Sequence, residues 1–165
     1  MIDNFSRERF EAALPAVNGA PLWKHLGVCS GEHCYVISVR PGVMIYVRSS
    51  LDFSGRCAES GEDSIRAWIC SDENGTPLGS KNERWISRVS KWEARLTETL
   101  RTLWRVGSAL GRRSLHCPAC DHRLYALKVK KVGVNTGRFF AGCPNCHYFD
   151  AWLTPPVQPK ELKSA

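Results

Sequence analysis

No run in the 165-residue sequence approaches the roughly 18 consecutive apolar residues that a membrane-spanning helix needs. The first residues, Met-Ile-Asp-Asn-Phe-Ser-Arg-Glu, carry acids and lack an apolar h-region, which argues against a secretory leader. There is no internal repeat. Low complexity is confined to a proline-rich tail over 154–165, opening at Thr154-Pro155-Pro156 and expected to be loose. These absences predict a soluble, cytoplasmic chain. Apolar material is not lacking: hydrophobic residues make up 43% and charged residues 24%, which excludes wholesale disorder. The length allows one ordinary domain or two small ones.

Acidic residues are scarce in one place. Residues 1–110 hold 14 basic and 13 acidic side chains, whereas residues 111–165 hold nine basic and only three acidic ones. Nearly all of the net charge of +7 therefore lies in the last third, a pattern that points to a polyanionic partner for that segment.

Eight cysteines in an intracellular-looking chain favour metal ligation or buried thiols over disulfides. Cys29, Cys34, Cys57 and Cys70 are scattered. They read as ordinary buried thiols, with a second metal site as the alternative. The other four form two tight pairs, Cys117-Pro-Ala-Cys120 and Cys143-Pro-Asn-Cys146, separated by 22 residues. Two thiolates spaced by two residues reach one ion from a tight turn, and two such turns complete a tetrahedron. Four thiolates with no open position suit one structural Zn²⁺. A ligand set borrowing His116, His122 or His147 and an iron site remain alternatives, because thiolates alone do not choose the metal.

Hydrophobic periodicity predicts an α+β front module over residues 1–110. Short helices are expected at Arg7–Leu14, ended by Pro15, and at Pro21–Leu26, ended by Gly27. Strands are expected at Tyr35–Arg40, Val43–Ser49 and Ser64–Cys70, with a turn at Asp72-Glu73-Asn74-Gly75 and a fourth strand within Pro77–Ile86. Ser90–Gly107 reads as one long helix. Its predicted start is a capping box of Ser90 and Glu93, and its apolar stripe is Val89, Trp92, Leu96, Leu100, Leu103 and Trp104. That stripe should pack on the face bearing Val43, Ile45, Val47, Ile65, Ala67 and Ile69, making an antiparallel sheet crossed by one helix. The module boundary is placed at Gly107–Ser114. A small C-terminal unit over 115–153 then forms a hairpin of Leu124–Val132 and Gly137–Gly142 around a turn at Gly133–Thr136.

Cys117-Pro-Ala-Cys120, the Leu124 strand and Gly137-Arg138-Phe139-Phe140-Ala141-Gly142-Cys143 resemble the four-cysteine zinc ribbons of bacterial type IA topoisomerases. Gly137-Arg138-Phe139 followed by Cys146-His147-Tyr148-Phe149-Asp150-Ala151-Trp152 is similar to the GRF-type zinc fingers of several repair enzymes. Both families bind DNA, mainly single strands, through basic and aromatic side chains. The likeness covers about residues 115–153, and the last cysteine pair is more closely spaced than in the topoisomerases. It implies a ribbon and its binding mode, not topoisomerase activity. Small proteins that join such a tail to a different front are common on phages and mobile elements.

Lys128, Lys130, Lys131 and Arg138 with Phe140, Tyr148 and Trp152 are the candidate nucleic-acid contacts, cations for phosphates and rings for splayed bases. Phe139 and Phe149 read instead as packing around the metal. Tyr46, Arg48, Arg66 and Trp68 share the sheet face opposite the helix and form a second candidate surface, the alternative being a second small core. Arg84, Arg88, Lys91 and Arg95 recur at helical spacing and read as a solvated face. Asp52, Glu59, Glu62 and Asp63 offer a divalent-metal nuclease site only weakly, since no His or Lys accompanies them at a recognisable spacing. The sequence thus predicts a non-enzymatic, single-strand-binding protein of DNA replication, repair or topology, with little base preference because no base-reading helix is apparent. The alternatives are an adaptor that tethers a DNA-processing enzyme to DNA, and a small nuclease.

Overall fold

The computed structural model describes residues 7–15, 23–29, 32–49, 64–79, 83–86, 91–113 and 115–156. Helix α1 (Arg7–Ala13) leads into strands β1 (Lys24–Cys29), β2 (Glu32–Arg40), β3 (Val43–Ser49), β4 (Ser64–Cys70) and β5 (Glu83–Ile86). These pair antiparallel in sequence order as a five-stranded meander, so the front of the chain is α+β as its patterning predicts. Register explains why alternation was readable. Ile45 lies opposite Ile37 and Ile69, and Val47 opposite Tyr35 and Ala67, so β-branched and aromatic side chains stack in rows across one face.

Two expected elements differ. Where a helix is predicted at Pro21–Leu26, residues from Lys24 onward form β1, hydrogen-bonded along β2. Gly27, at φ +90°, sits at a register shift in that ladder rather than ending a helix. A full cross-strand ladder outweighs the weak local helical pattern. The fourth strand is shorter than predicted: Pro77 makes only an isolated bridge to Cys70, and the ladder with β4 is carried by Glu83–Ile86.

Helix α2 (Trp92–Gly111) lays Trp92, Leu96, Leu100, Leu103, Val106 and Leu110 on the apolar sheet face. Phe10 of α1, fully buried, closes that core against Tyr35 and Trp92. The start of α2 is not the predicted capping box. Its N-cap is Lys91, at φ 69° and without a side-chain cap, and Glu93 accepts from Arg9 at 2.7 Å instead. At the other end the helix runs four residues beyond its predicted stop, to Gly111.

The opposite sheet face corrects a second expectation. Tyr46 and Trp68 do not form an open binding surface: they are 4% and 8% exposed, under the turn of residues 71–79. Trp68 donates its Nε1–H to the Gly75 carbonyl at 2.8 Å, and the two rings meet at 4.8 Å. Arg48 and Arg66 are both drawn onto the buried carboxylate of Glu32, at 2.6 and 2.8 Å. Rings with their faces covered cannot stack on bases, and guanidinium groups spent on a carboxylate are poor phosphate ligands. Cys34, Val36 and Cys70 join these rings in a second small core, as the alternative reading of this face expects. Burial pushes the Cys70 thiol up to about 12. The Asp72 carboxylate organises the covering turn. It accepts from the Thr76 hydroxyl at 2.7 Å and from the backbone N–H groups of Asn74 and Thr76, which together hold it below its usual range.

A second sheet of β6 (Tyr125–Lys128), β7 (Phe139–Gly142) and β8 (Phe149–Trp152) follows α2. The hairpin of β6 and β7 was expected; β8 was not. This sheet packs directly on the front of the chain. Ala126, Phe139, Ala141 and Leu153 share one core with the α2 stripe. The Ala126 N–H donates to the Leu78 carbonyl at 2.7 Å, the Arg123 guanidinium to the Gly42 carbonyl at 2.6 Å, and Arg113 at the end of α2 pairs with Asp150 at 2.5 Å. Thr154 is tied down as well: its carbonyl accepts from Arg138, and its hydroxyl from the Phe139 N–H, so any loose tail starts beyond it. Among the described residues no helix is long and apolar enough to cross a membrane.

Gly75 tests the covering turn. Its φ of +77° disfavours any side chain, and an added Cβ would lie 3.1 Å from the Trp68 ring and 3.3 Å from Tyr46. Gly75→Ala is expected to cost about 1–3 kcal/mol, read as a lower urea midpoint at unchanged m-value. An unshifted midpoint would show that the turn does not seal these rings.

Candidate metal centre and outer sheet face

Each Cys-Pro-x-Cys segment folds as the same tight turn. In the first, Asp121 N–H donates to the Cys117 carbonyl at 2.8 Å and Cys117 N–H to the His122 carbonyl at 2.7 Å. In the second, His147 N–H donates to the Cys143 carbonyl at 3.0 Å and Cys143 N–H to the Tyr148 carbonyl at 2.9 Å. The residue after the second cysteine takes left-handed backbone in both, Asp121 at φ 61° and His147 at φ 64°. Such a turn aims both sulfurs to one side. Backbone N–H groups of Ala119 and Cys146 also point at the Cys117 and Cys143 sulfurs, at 3.4 Å each.

The two turns face each other. All four sulfurs lie within 4.8 Å of one another, with Cys117–Cys146 and Cys120–Cys143 at 3.5 Å. Metal–sulfur bonds of ~2.3 Å at tetrahedral angles require sulfurs about 3.8 Å apart, so the cluster fits a single four-coordinate ion. It contains sulfur alone: His116 turns Nδ1 to the Asp121 carbonyl at 3.2 Å, and the His122 ring lies against Tyr125. Leu124, fully buried, packs beneath Cys117 and Cys143, while Cys120 and Cys146 are exposed. The Asn145 amide, 3.6 Å from the Cys120 sulfur, and the backbone at His122 bring that thiol down to about 6. At Cys146 the Tyr148 backbone favours the thiolate, but desolvation and its three sulfur neighbours outweigh it and push the thiol up to about 12. Four adjacent thiolates repel, so full deprotonation needs a cation at their centre. Among the described residues this is the only such group. Cys34 and Cys70 sit in separate rows of the front sheet, opposite Arg48 and Met44 respectively, and cannot share an ion.

The C-terminal sheet has two unlike faces. Ala126, Phe139 and Ala141 point inward. Leu127, Phe140 and Trp152 alternate outward, with Leu127 and Trp152 flanking Phe140 in register. Gly142 makes the outer face flat: a Cβ there would lie 2.7 Å from the Phe140 ring, which rests over it. Phe140 stacks on Phe149 at 5.4 Å, and Trp152 meets both edge-on at 6.0 and 5.3 Å. Phe149 and Trp152 are 47% and 40% exposed.

Several candidate contacts change place in consequence. Phe140 and Trp152 are together, and Tyr148 is exposed beside the second cysteine turn. Phe149, read from sequence as packing, belongs to the open ring cluster, whereas Phe139 is buried as expected. Adjacent residues on a strand face opposite ways, a signal that separates Phe139 from Phe140 but needs β8 to place Phe149. Arg138 is 7% exposed: it donates to Asn135 Oδ1 and the Thr154 carbonyl, both at 2.9 Å, and its guanidinium stacks on Trp152 at 3.8 Å. It braces the platform rather than reaching outward. Lys128 lies on the inner side, over Phe139 and lining a cleft of about 230 Å³ with Glu98, Thr99 and Thr102 of α2. Lys130 and Lys131 are exposed at the hairpin end. Asp52, Glu59, Glu62, Asp63 and Cys57 lie outside the described residues, as do Arg88, Val89 and Ser90.

No family model, curated protein or solved structure matches this chain. Protein purified under reducing conditions without chelators is expected to carry one metal ion per chain by mass spectrometry. Cys143→Ser should lose it and, because the two sheets share a core, lower the melting temperature of the whole chain. Metal-free purified protein, or an unchanged melting curve in Cys143→Ser, would contradict this.

Proposed function

We propose that this chain is a non-enzymatic nucleic-acid-binding protein that holds single strands, DNA foremost, on the outer face of a zinc ribbon. The observation that carries the reading is the ring cluster in which exposed Phe149 and Trp152 meet half-buried Phe140, on the segment that also bears most of the net positive charge. A soluble surface seldom holds stacked rings open to water unless something covers them. Every base has a π-face, so such a platform takes unpaired bases with little preference, while duplex bases keep their faces to themselves. Lys130 and Lys131, exposed at the hairpin end, supply the phosphate contacts.

Zinc suits the four cysteines because four thiolates in a closed tetrahedral set satisfy it without leaving a reactive position. The ion then has a structural task, holding the hairpin that carries the rings, and this favours binding over catalysis. The setting implied is DNA replication, repair or topology.

Charge and stacking separate by salt titration of single-strand binding. Trp152→Ala is expected to lose about 1–3 kcal/mol with little change in salt slope. Lys130→Ala/Lys131→Ala should make the logarithmic slope shallower by about 0.7 per contact, with the loss alike for every base composition. Lys128→Ala should leave the slope unchanged, because that amine faces α2. Metal content must stay normal in all three. If the double-lysine variant keeps both affinity and slope, the basic hairpin is only a solvated face and the proposal fails.

A further inference from the structure

The two most exposed large apolar side chains among the described residues are Val132 and Val134, at 92% and 87%, on the tip joining β6 to β7. This tip is braced. The Thr136 hydroxyl accepts from the Gly133 N–H at 2.8 Å and lies within donating distance of the Lys131 and Gly133 carbonyls, at 2.8 and 2.9 Å. Backbone bonds from Val129 to Arg138 and from Gly137 to Val129, both 2.9 Å, close its base. The Arg138 guanidinium then links Asn135 in the tip to the Trp152 ring of the platform. Two stiff β-branched side chains are thus held out in water at a fixed distance from the ring cluster, and no part of the described chain covers them.

Their neighbours indicate the occupant. Lys130 and Lys131 precede Val132 and are exposed, so the apolar point is flanked by cations. A partner that is anionic outside and apolar between its planes matches both features, and a nucleic-acid strand is one: phosphates for the lysines, a base step for the valines. We infer that the hairpin tip is a wedge that inserts Val132 and Val134 between neighbouring bases of the bound strand, while bases further along stack on Phe149 and Trp152. This rests on the proposed nucleic-acid reading and adds a second, separate contact to it.

The test uses full-length, metal-loaded protein and a short single strand carrying the fluorescent base 2-aminopurine, which brightens when its stacking is broken. Wild-type protein should raise the fluorescence at saturation. Val132→Ser/Val134→Ser should bind about tenfold more weakly and give no rise even when saturated, at unchanged metal content and melting temperature. Trp152→Ala, though weaker in binding, should keep the rise at saturation. A valine variant with wild-type affinity and brightening would overturn the wedge while leaving the platform standing. Valine-dependent binding to phosphatidylserine vesicles, with strand affinity unaffected, would overturn it in favour of a lipid surface. A wild-type protein that binds no single strand would overturn the nucleic-acid reading and the wedge with it.

Discussion

The convergence of four sulfurs from two matching turns is the constraint on which the rest of the C-terminal sheet depends. Three strands of four residues each cannot bury enough surface to hold themselves. The sulfur cluster closes one end, and the packing of Ala126, Phe139, Ala141 and Leu153 against α2 closes the inner face. Structural metal in small cysteine turns contributes about 10–16 kcal/mol, as much as a whole domain's net stability. Docking alone is worth less, since the inward side chains are few and two of them are alanines. An ion held by these sulfurs would therefore contribute more to the sheet than its dock on α2 does.

Burial of the inner face leaves the outer face of this sheet open, and its chemistry follows from strand alternation. Phe139 and Phe140 are adjacent, so one enters the core and the other must face out. Gly142 gives Phe140 room to lie flat, and Phe149 and Trp152 extend the rings across β8. Arg138 contributes from beneath. Its buried guanidinium, held by the Asn135 and Thr154 oxygens, stacks on Trp152 and fixes that ring in place.

What the sequence disclosed were the local signals. The cysteine pairs are legible because a two-residue spacing is itself the geometry of the turn, and β2 to β4 and α2 are legible because one buried face leaves a clean period. Features set by distant partners were hidden. The strand at Lys24–Cys29 exists through its ladder with β2, and Tyr46 and Trp68 lie buried because the turn at 71–79 folds over them, which alternation alone cannot show. Arg138 and Lys128 read as free cations, yet one is spent bracing Trp152 and the other lies over Phe139 on the inner side. Phe149 was misplaced because a four-residue strand is too short to display a period, so its outward face appeared only once β8 was paired with β7.

The central claim is that a metal-held outer face is where a single strand binds, and ultraviolet cross-linking addresses it most directly. A thymidine oligomer would be irradiated with the metal-loaded protein, and again after chelation, and the linked peptides read by mass spectrometry. The account predicts cross-links at Phe149 and Trp152 that disappear when the metal is removed. Cross-links confined to the front sheet, or the same cross-links with and without metal, would contradict it.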